Sequence, residues 1–122
     1  PATRFVADFI GQGVFLPGEV RSADTVGTEL GVLSGDVPAS FRPGDRIDLL
    51  LRPDDVLYDE TSPLTLQVTQ KAFRGADFLY TLALPSGATL LTLVPSHFDH
   101  NLGDRIGVRI ELDHIVAFPR GG

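Results

Sequence analysis

The sequence predicts an all-β chain, a sandwich or barrel of short strands arranged as two related halves. Three observations lead there. From Val14 onward apolar residues recur with a period of two. Turn residues return roughly every eight to twelve positions, the spacing of short strands joined by tight connections. Thirteen glycines and nine prolines are too many for a helical bundle.

The opening segment is the exception to this period. Phe5, Val6, Phe9 and Ile10 fall at i, i+1, i+4 and i+5 and Gly11 follows, so residues 1–11 are expected to form a short amphipathic helix with Thr3 at its N-cap. Further on, Arg46–Arg52 places Ile47, Leu49 and Leu51 on one face. Leu64, Leu66 and Val68 repeat the pattern against Thr65, Gln67 and Thr69. The runs from Phe78 to Leu84 and from Thr89 to Val94, joined by Pro85-Ser86-Gly87, read as a hairpin whose glycine takes a positive φ. Ile106, Val108, Ile110 and Leu112 then face inward, with Arg105, Arg109, Glu111 and Asp113 facing water.

An internal repeat organises these strands. Gly44-Asp45-Arg46-Ile47 recurs as Gly103-Asp104-Arg105-Ile106, each copy opening a strand. Aligned on it, Phe9-Ile10-Gly11, the run from Val14 and a turn at Ser34-Gly35 match Phe73-Arg74-Gly75, the run from Phe78 and the turn at Ser86-Gly87. Each half, of roughly fifty residues, is about the smallest β-unit that could share a core with a sister copy. The alternative is that Gly-Asp-Arg is good turn-to-strand chemistry that arose twice.

Composition narrows the function classes. The 122 residues include 43% hydrophobic and 21% charged, enough to bury a core and too few for two ordinary independent domains. The net charge of −6 with a single lysine, Lys71, opposes binding to phosphate backbones or anionic lipid. A single-stranded nucleic-acid binder would need basic grooves and exposed aromatics. With no cysteine, the fold does not depend on disulfides, which fits a reducing compartment. No run of ~18 apolar residues is present, and Pro1-Ala2-Thr3-Arg4 lacks the charged-then-apolar layout expected of a secretion signal. A start at Pro1 is expected either from an internal position of a longer chain or from removal of an initiator Met.

Catalytic patterns are missing. The chain has no Gly-x-x-x-x-Gly-Lys-Ser/Thr phosphate loop, no Gly-x-Gly-x-x-Gly, no Gly-x-Ser-x-Gly elbow and no His-Glu-x-x-His. Leu33-Ser34-Gly35-Asp36 shares its first three residues with an ABC signature motif, departs at the fourth, and reads as a turn. His97, Asp99, His100 and Asp104 are metal-type ligands within eight residues, but Pro95, Asn101 and Gly103 mark a loop in which such residues cap turns. His114 is expected to be a half-buried strand residue. Asp54-Asp55 and Asp59-Glu60 read as solvated loops, because adjacent side chains on an extended chain point apart. Arg52-Pro53-Asp54 ends a strand abruptly, with Arg52 free to pair with Asp54 or a carboxylate elsewhere. No residue is assigned a catalytic, cofactor-binding or metal-binding role.

Taken together, Pro1-Ala2-Thr3-Arg4-Phe5-Val6-Ala7-Asp8-Phe9-Ile10-Gly11, Phe15-Leu16-Pro17-Gly18, Arg52-Pro53-Asp54, Phe73-Arg74-Gly75, Tyr80, Gly87, Pro95 and Gly103-Asp104 resemble, in order and spacing over essentially the whole chain, the C-terminal TOBE region of importer-type ABC ATP-binding subunits. Asp54 stands where that family more often has Glu. The resemblance implies two OB-like small barrel lobes related by the repeat, preceded by the N-terminal connector helix. Residues 1–11 would be the connector from an ATPase domain, and 12–122 the regulatory domain, its lobes interleaved with approximate halves 12–60 and 61–122.

It further implies a non-catalytic regulatory and dimerisation role in a bacterial uptake system. The chain itself would bind no cofactor, with ATP and Mg held by the ATPase domain. Partners would be that ATPase domain, a second copy of the subunit and, through the ATPase, a transmembrane permease. The setting would be cytoplasmic, peripheral on the inner face of the plasma membrane. Phe-Leu-Pro-Gly resembles the ferric-iron and spermidine/putrescine subgroup, with iron slightly favoured. Phe5, Phe9 and Phe15 are candidates for a patch that a partner covers. The alternative is a stand-alone small-ligand or oxyanion-binding domain of the molybdate-binding type, which would have no need of the apolar leading helix.

Overall fold

A computed structural model describes residues 13–120, and the expected helix over 1–11 lies outside them. Ten strands follow in order: β1 (Val14–Ser22), β2 (Thr25–Thr28), β3 (Gly31–Ser34), β4 (Arg46–Leu51), β5 (Val56–Tyr58), β6 (Thr65–Phe73), β7 (Asp77–Ala83), β8 (Thr89–Pro95), β9 (Arg105–Ile110) and β10 (Ala117–Pro119). The only helical turn among the described residues is the 3-10 turn Pro53–Asp55. The described residues are therefore all-β, as their period of two requires.

The chain divides into two compact units, one built from residues 13–51 with 111–120 and the other from residues 52–110. The first holds a five-stranded sheet in the order β10-β4-β1-β2-β3, and the second holds one in the order β5-β9-β6-β7-β8. The two orders are the same topology, with β1, β2, β3 and β4 answered by β6, β7, β8 and β9. The fifth strand is exchanged along the chain. β5 follows β4 in sequence but pairs with β9, whereas β10 follows β9 but pairs with β4.

Each sheet curls until its edges meet. In the first unit the segment just past β3 bridges to the segment just before β10: the Asp36 amide donates to Asp113 O at 3.0 Å and the Ile115 amide to Asp36 O at 2.8 Å. In the second unit β5 and β8 pack together, and the Thr92 hydroxyl donates to Val56 O at 2.5 Å. Thr92 is the one buried polar side chain among the described residues, so this bond keeps its hydroxyl satisfied. The first core is built from Leu16, Val20, Val26, Ile47, Leu49 and Leu51, the second from Val56, Val68, Tyr80, Leu82, Leu90 and Val108, all at most 1% exposed.

The Gly-Asp-Arg repeat is the same turn twice, with the same bonds. Arg42-Pro43-Gly44-Asp45 and Asn101-Leu102-Gly103-Asp104 are type II turns in which Gly44 and Gly103 take φ of +95° and +93°, a region that side-chain-bearing residues avoid. The Asp45 amide donates to Arg42 O at 3.0 Å and the Asp104 amide to Asn101 O at 3.1 Å. Each aspartate carboxylate accepts the amide of the turn's first residue, at 2.8 Å from Arg42 and 2.9 Å from Asn101. Gly44 donates to Val20 O and Gly103 to Val68 O, at 2.7 and 2.8 Å, and the Val20 and Val68 amides donate back to Asp45 O and Asp104 O, at 2.9 and 2.8 Å. Val20 and Val68 each begin a bulge, at Val20/Ser22 and Val68/Gln70. Two copies that share a turn, its four hydrogen bonds and the bulge it docks on are one structural unit repeated.

Upstream of that turn the structure corrects the alignment. β1 matches β6, not the run from Phe78, because the second unit has a longer hairpin that shifts the sequence spacing. Ser34 ends β3 and is no turn. Gly35 is needed because a Cβ there would stand 3.0 Å from the buried Ile115 side chain. The turn that matches Gly87 (φ +93°) is at Gly31 (φ +102°). Phe15 is half-buried and packs edge-on to Phe118 at 5.8 Å.

Two stability predictions follow from this geometry. Gly44→Ala and Gly103→Ala should each cost about 1–2 kcal/mol in urea unfolding, the penalty of a Cβ in the left-handed region; losses that differ severalfold would show the two turns are not equivalent. Thr92→Val, similar in shape but with no donor for Val56 O, should cost about 1–3 kcal/mol.

Candidate functional site

The two units diverge most at one hairpin. In the first, the β1–β2 ladder stops at Ser22↔Thr25 and turns through Ala23 and Asp24. In the second, the equivalent pair Gln70↔Thr81 is followed by three more: Lys71↔Tyr80, Ala72↔Leu79 and Phe73↔Phe78. Residues paired across an antiparallel ladder share a face, so the extension sets Lys71, Phe73, Phe78 and Tyr80 side by side. Phe73 and Phe78 have ring centroids 5.4 Å apart; Phe78 and Tyr80 stack at 5.8 Å with planes 7° apart. The Lys71 ammonium sits 4.6 Å above the Phe78 ring, a cation–π contact.

Residues 96–102, between β8 and β9, lie against that face. The Tyr80 hydroxyl donates to Phe98 O at 3.2 Å and accepts the His100 amide at 2.9 Å. Lys71 donates to His100 O at 2.9 Å and to the Asp99 carboxylate. The His100 ring lies between two phenols, Nδ1 at 3.4 Å from the Tyr80 oxygen and Nε2 at 3.3 Å from the Tyr58 oxygen. Tyr58 in turn donates to Glu60 and packs against Phe98, with centroids 5.2 Å apart. Partial burial, then the hydrogen bond to Glu60 and the charges of Glu60 and Tyr80, push the Tyr58 phenol up to about 12.

The ligand-type residues each have a place in this arrangement. His100 is engaged by phenols, Asp99 by Lys71, Asp104 by its own turn, and His97 stacks on Phe98 at 4.2 Å. Among the described residues no three His, Cys, Asp or Glu side chains converge as a metal site would require. His114 is exposed, not half-buried, with Nδ1 3.4 Å from the Asp36 carboxylate. The Arg52 main-chain amide donates to the Asp55 carboxylate at 2.9 Å. The Thr61 hydroxyl and amide hold the Asp59 carboxyl below the usual range, with Arg109 3.5 Å away.

The sequence reasoning missed Lys71, Tyr58 and Tyr80 as a set. Its available signal was the lone lysine two residues from Phe73 on a strand facing Phe78 and Tyr80. The first unit has an open groove of about 510 Å³ near Arg21, Arg46 and Arg120. Two of those guanidiniums already face carboxylates, Arg21 with Glu19 at 3.4 Å and Arg120 with Asp48 at 3.2 Å.

A pair of small β-barrels with exchanged fifth strands, whose specialised face is a polar and aromatic network, defines a binding or regulatory module. The chain belongs to the TOBE domain family, whose model matches residues 49–118, more than half of it. It is 36% identical to the spermidine/putrescine import ATP-binding protein PotA of Ruegeria pomeroyi over 98% of this chain and 33% of that protein. It is 28% identical to the PotA of Lawsonia intracellularis over 88% of this chain and 34% of that one, and 32% identical to the PotA of Rubrobacter xylanophilus over 75% and 26%. The chain thus spans about a third of these relatives' length, at their C-terminal part. Among solved structures, the cytoplasmic molybdate-binding protein ModG, with molybdate bound, shares the fold at TM-score 0.67 and 15% identity, over 84% of this chain and 93% of that one.

Tyr58 makes this network testable through pH. A phenol whose folded pKa lies above its unfolded value near 10 adds stability that is fully present below pH ~10 and is lost as pH rises through about 12. Tyrosinate absorbance should therefore show a late step near pH 12, absent from Tyr58→Phe; Tyr58→Phe should also lose less stability between pH 10 and 12 than the parent chain.

Proposed function

We propose that this chain is the regulatory part of the ATP-binding subunit of a bacterial ABC importer, and that the importer moves polyamines. The observation that carries the proposal is the match to spermidine/putrescine import ATP-binding proteins along nearly the whole chain, in a region that is only a third of those proteins. The same relatives favour polyamine over ferric iron as the transported solute. On this reading ATP and Mg are bound by an ATPase domain and the subunit works as a homodimer. That places it peripherally on the cytoplasmic face of the membrane, against a permease. No helix among the described residues is long and apolar enough to cross a membrane, which fits a domain that reaches the bilayer through other subunits.

A second reading, a stand-alone oxyanion binder, draws on the fold shared with ModG. Two measurements separate them. The purified chain should show no Mg-dependent ATP turnover, and removing the matching region from a parent import ATPase should leave turnover intact while changing its control by substrate supply. Turnover by the chain itself would overturn the first reading. Calorimetric titration with molybdate should show no saturable heat; tight saturable binding would establish the second.

A further inference from the structure

We propose that residues 96–102 form a strap that opens as a local unit, and that Lys71 is the clasp that holds it shut. The two repeats supply an internal control. In the first unit the corresponding connection, between β3 and β4, is stitched to the barrel by main chain: Gly35 donates to Asp24 O at 3.0 Å, Val37 to Ala23 O at 2.9 Å, and Asp36 bridges to the segment before β10. Counted from the shared bulge, Ala23 and Asp24 occupy the places of Lys71 and Tyr80. The second unit has put side chains where the first uses carbonyls.

The strap is held accordingly. Its ends are fixed by main-chain bonds, from Ser96 to Ala76 O at 3.0 Å and from Gly103 to Val68 O at 2.8 Å. Between them, the main-chain-to-main-chain bonds of 97–102 among the described residues are only the local turn bonds of Phe98 to Pro95 and Asp104 to Asn101, and the Asn101 amide is held by the Asp104 carboxylate of the same turn. It buries no apolar side chain: Phe98 is 38% exposed and Leu102 62%. What remains is Lys71 on Asp99 and His100 O, Tyr80 on Phe98 O and the His100 amide, and Tyr58 on the His100 ring. A segment held by a few side-chain hydrogen bonds and no buried apolar anchor belongs to the low-stability end of a fold and opens before the barrel does.

Lys71 is the member that decides closure. It is the chain's only lysine, its side chain is 24% exposed, and its ammonium joins Asp99, His100 O and the Phe78 ring in one place. Opening frees that ammonium, beside the Phe78 ring, and the Tyr80 hydroxyl that the closed strap engages. The strap thus alternates between a surface of exposed Phe98 and Asp99 and one of a free cation beside an aromatic ring and a phenol hydroxyl. The regulatory reading enters only in what such a two-state element would act on.

Residue-resolved amide exchange on the whole chain tests the strap directly, and its outcome is independent of any ATPase measurement. Amides of 99–101 should exchange faster than those of β7 and β8. Lys71→Met, which keeps the apolar stem, should speed them by roughly tenfold, the loss of a charge-assisted bond, with β1, β2 and β4 amides unchanged. Asp99→Asn, which removes only one of the Lys71 contacts, should produce a smaller increase, and the double variant little more than Lys71→Met alone, because the pair shares that interaction. Strap amides that exchange together with β7 and β8, or a Lys71→Met or Asp99→Asn effect spread evenly over both units, would overturn the proposal.

Discussion

Each barrel holds its fourth strand between two neighbours, and in the first unit one of those neighbours arrives only after the chain has passed through the second. β4 lies between β1 and β10, and β9 between β6 and β5. Everything else follows from that order of assembly. A sheet without its fifth strand would leave the edge of β4 or β9 unpaired and the barrel open beside its core, where Ile47, Leu49, Ile106 and Val108 are at most 3% exposed. Closing β10 onto β4 also brings together residues as far apart as Ala117 and Leu49, so much of the stabilising contact is long-range and arrives late.

Around this exchange the two copies keep some features fixed and let others drift. The type II turn at Gly44 and Gly103 is fixed, because one glycine conformation and one aspartate satisfy four hydrogen bonds and seat the turn on a bulge. Hairpin length is free, because added residue pairs lengthen the ladder without changing the pairs that precede them. Specialisation has used that freedom: the extra pairs from Lys71 to Tyr80 create a face that the first unit lacks, and the 96–102 connection has come to rest on it.

Much of the fold was legible in the sequence for plain physical reasons. Alternation at Ile47, Leu49 and Leu51 reports a half-buried strand, and Pro85-Ser86-Gly87 reports a turn needing a positive φ. The repeat was legible only where it is strictly local, at Gly-Asp-Arg-Ile. Matching β1 to the run from Phe78 failed because the alignment could not know that one hairpin had grown. Ser34-Gly35 read as a turn because a glycine that admits a neighbouring side chain looks the same, in sequence, as one that bends the backbone. The Lys71 network was hidden for a different reason. Its members come from β5, β6, β7 and the connection after β8, and only the sheet order brings Tyr58, Lys71, Tyr80 and His100 together.

The exchanged strands also change what a break in the backbone means. A cut between Leu51 and Arg52 separates the sequence at the border between the units, yet it does not free the first unit, since β10 stays paired with β4 across the two pieces. A nicked molecule of this kind would remain one particle held by a ladder of hydrogen bonds. The two pieces could part only by stripping β10 from β4, so the chain's integrity rests on that pairing as much as on its covalent continuity.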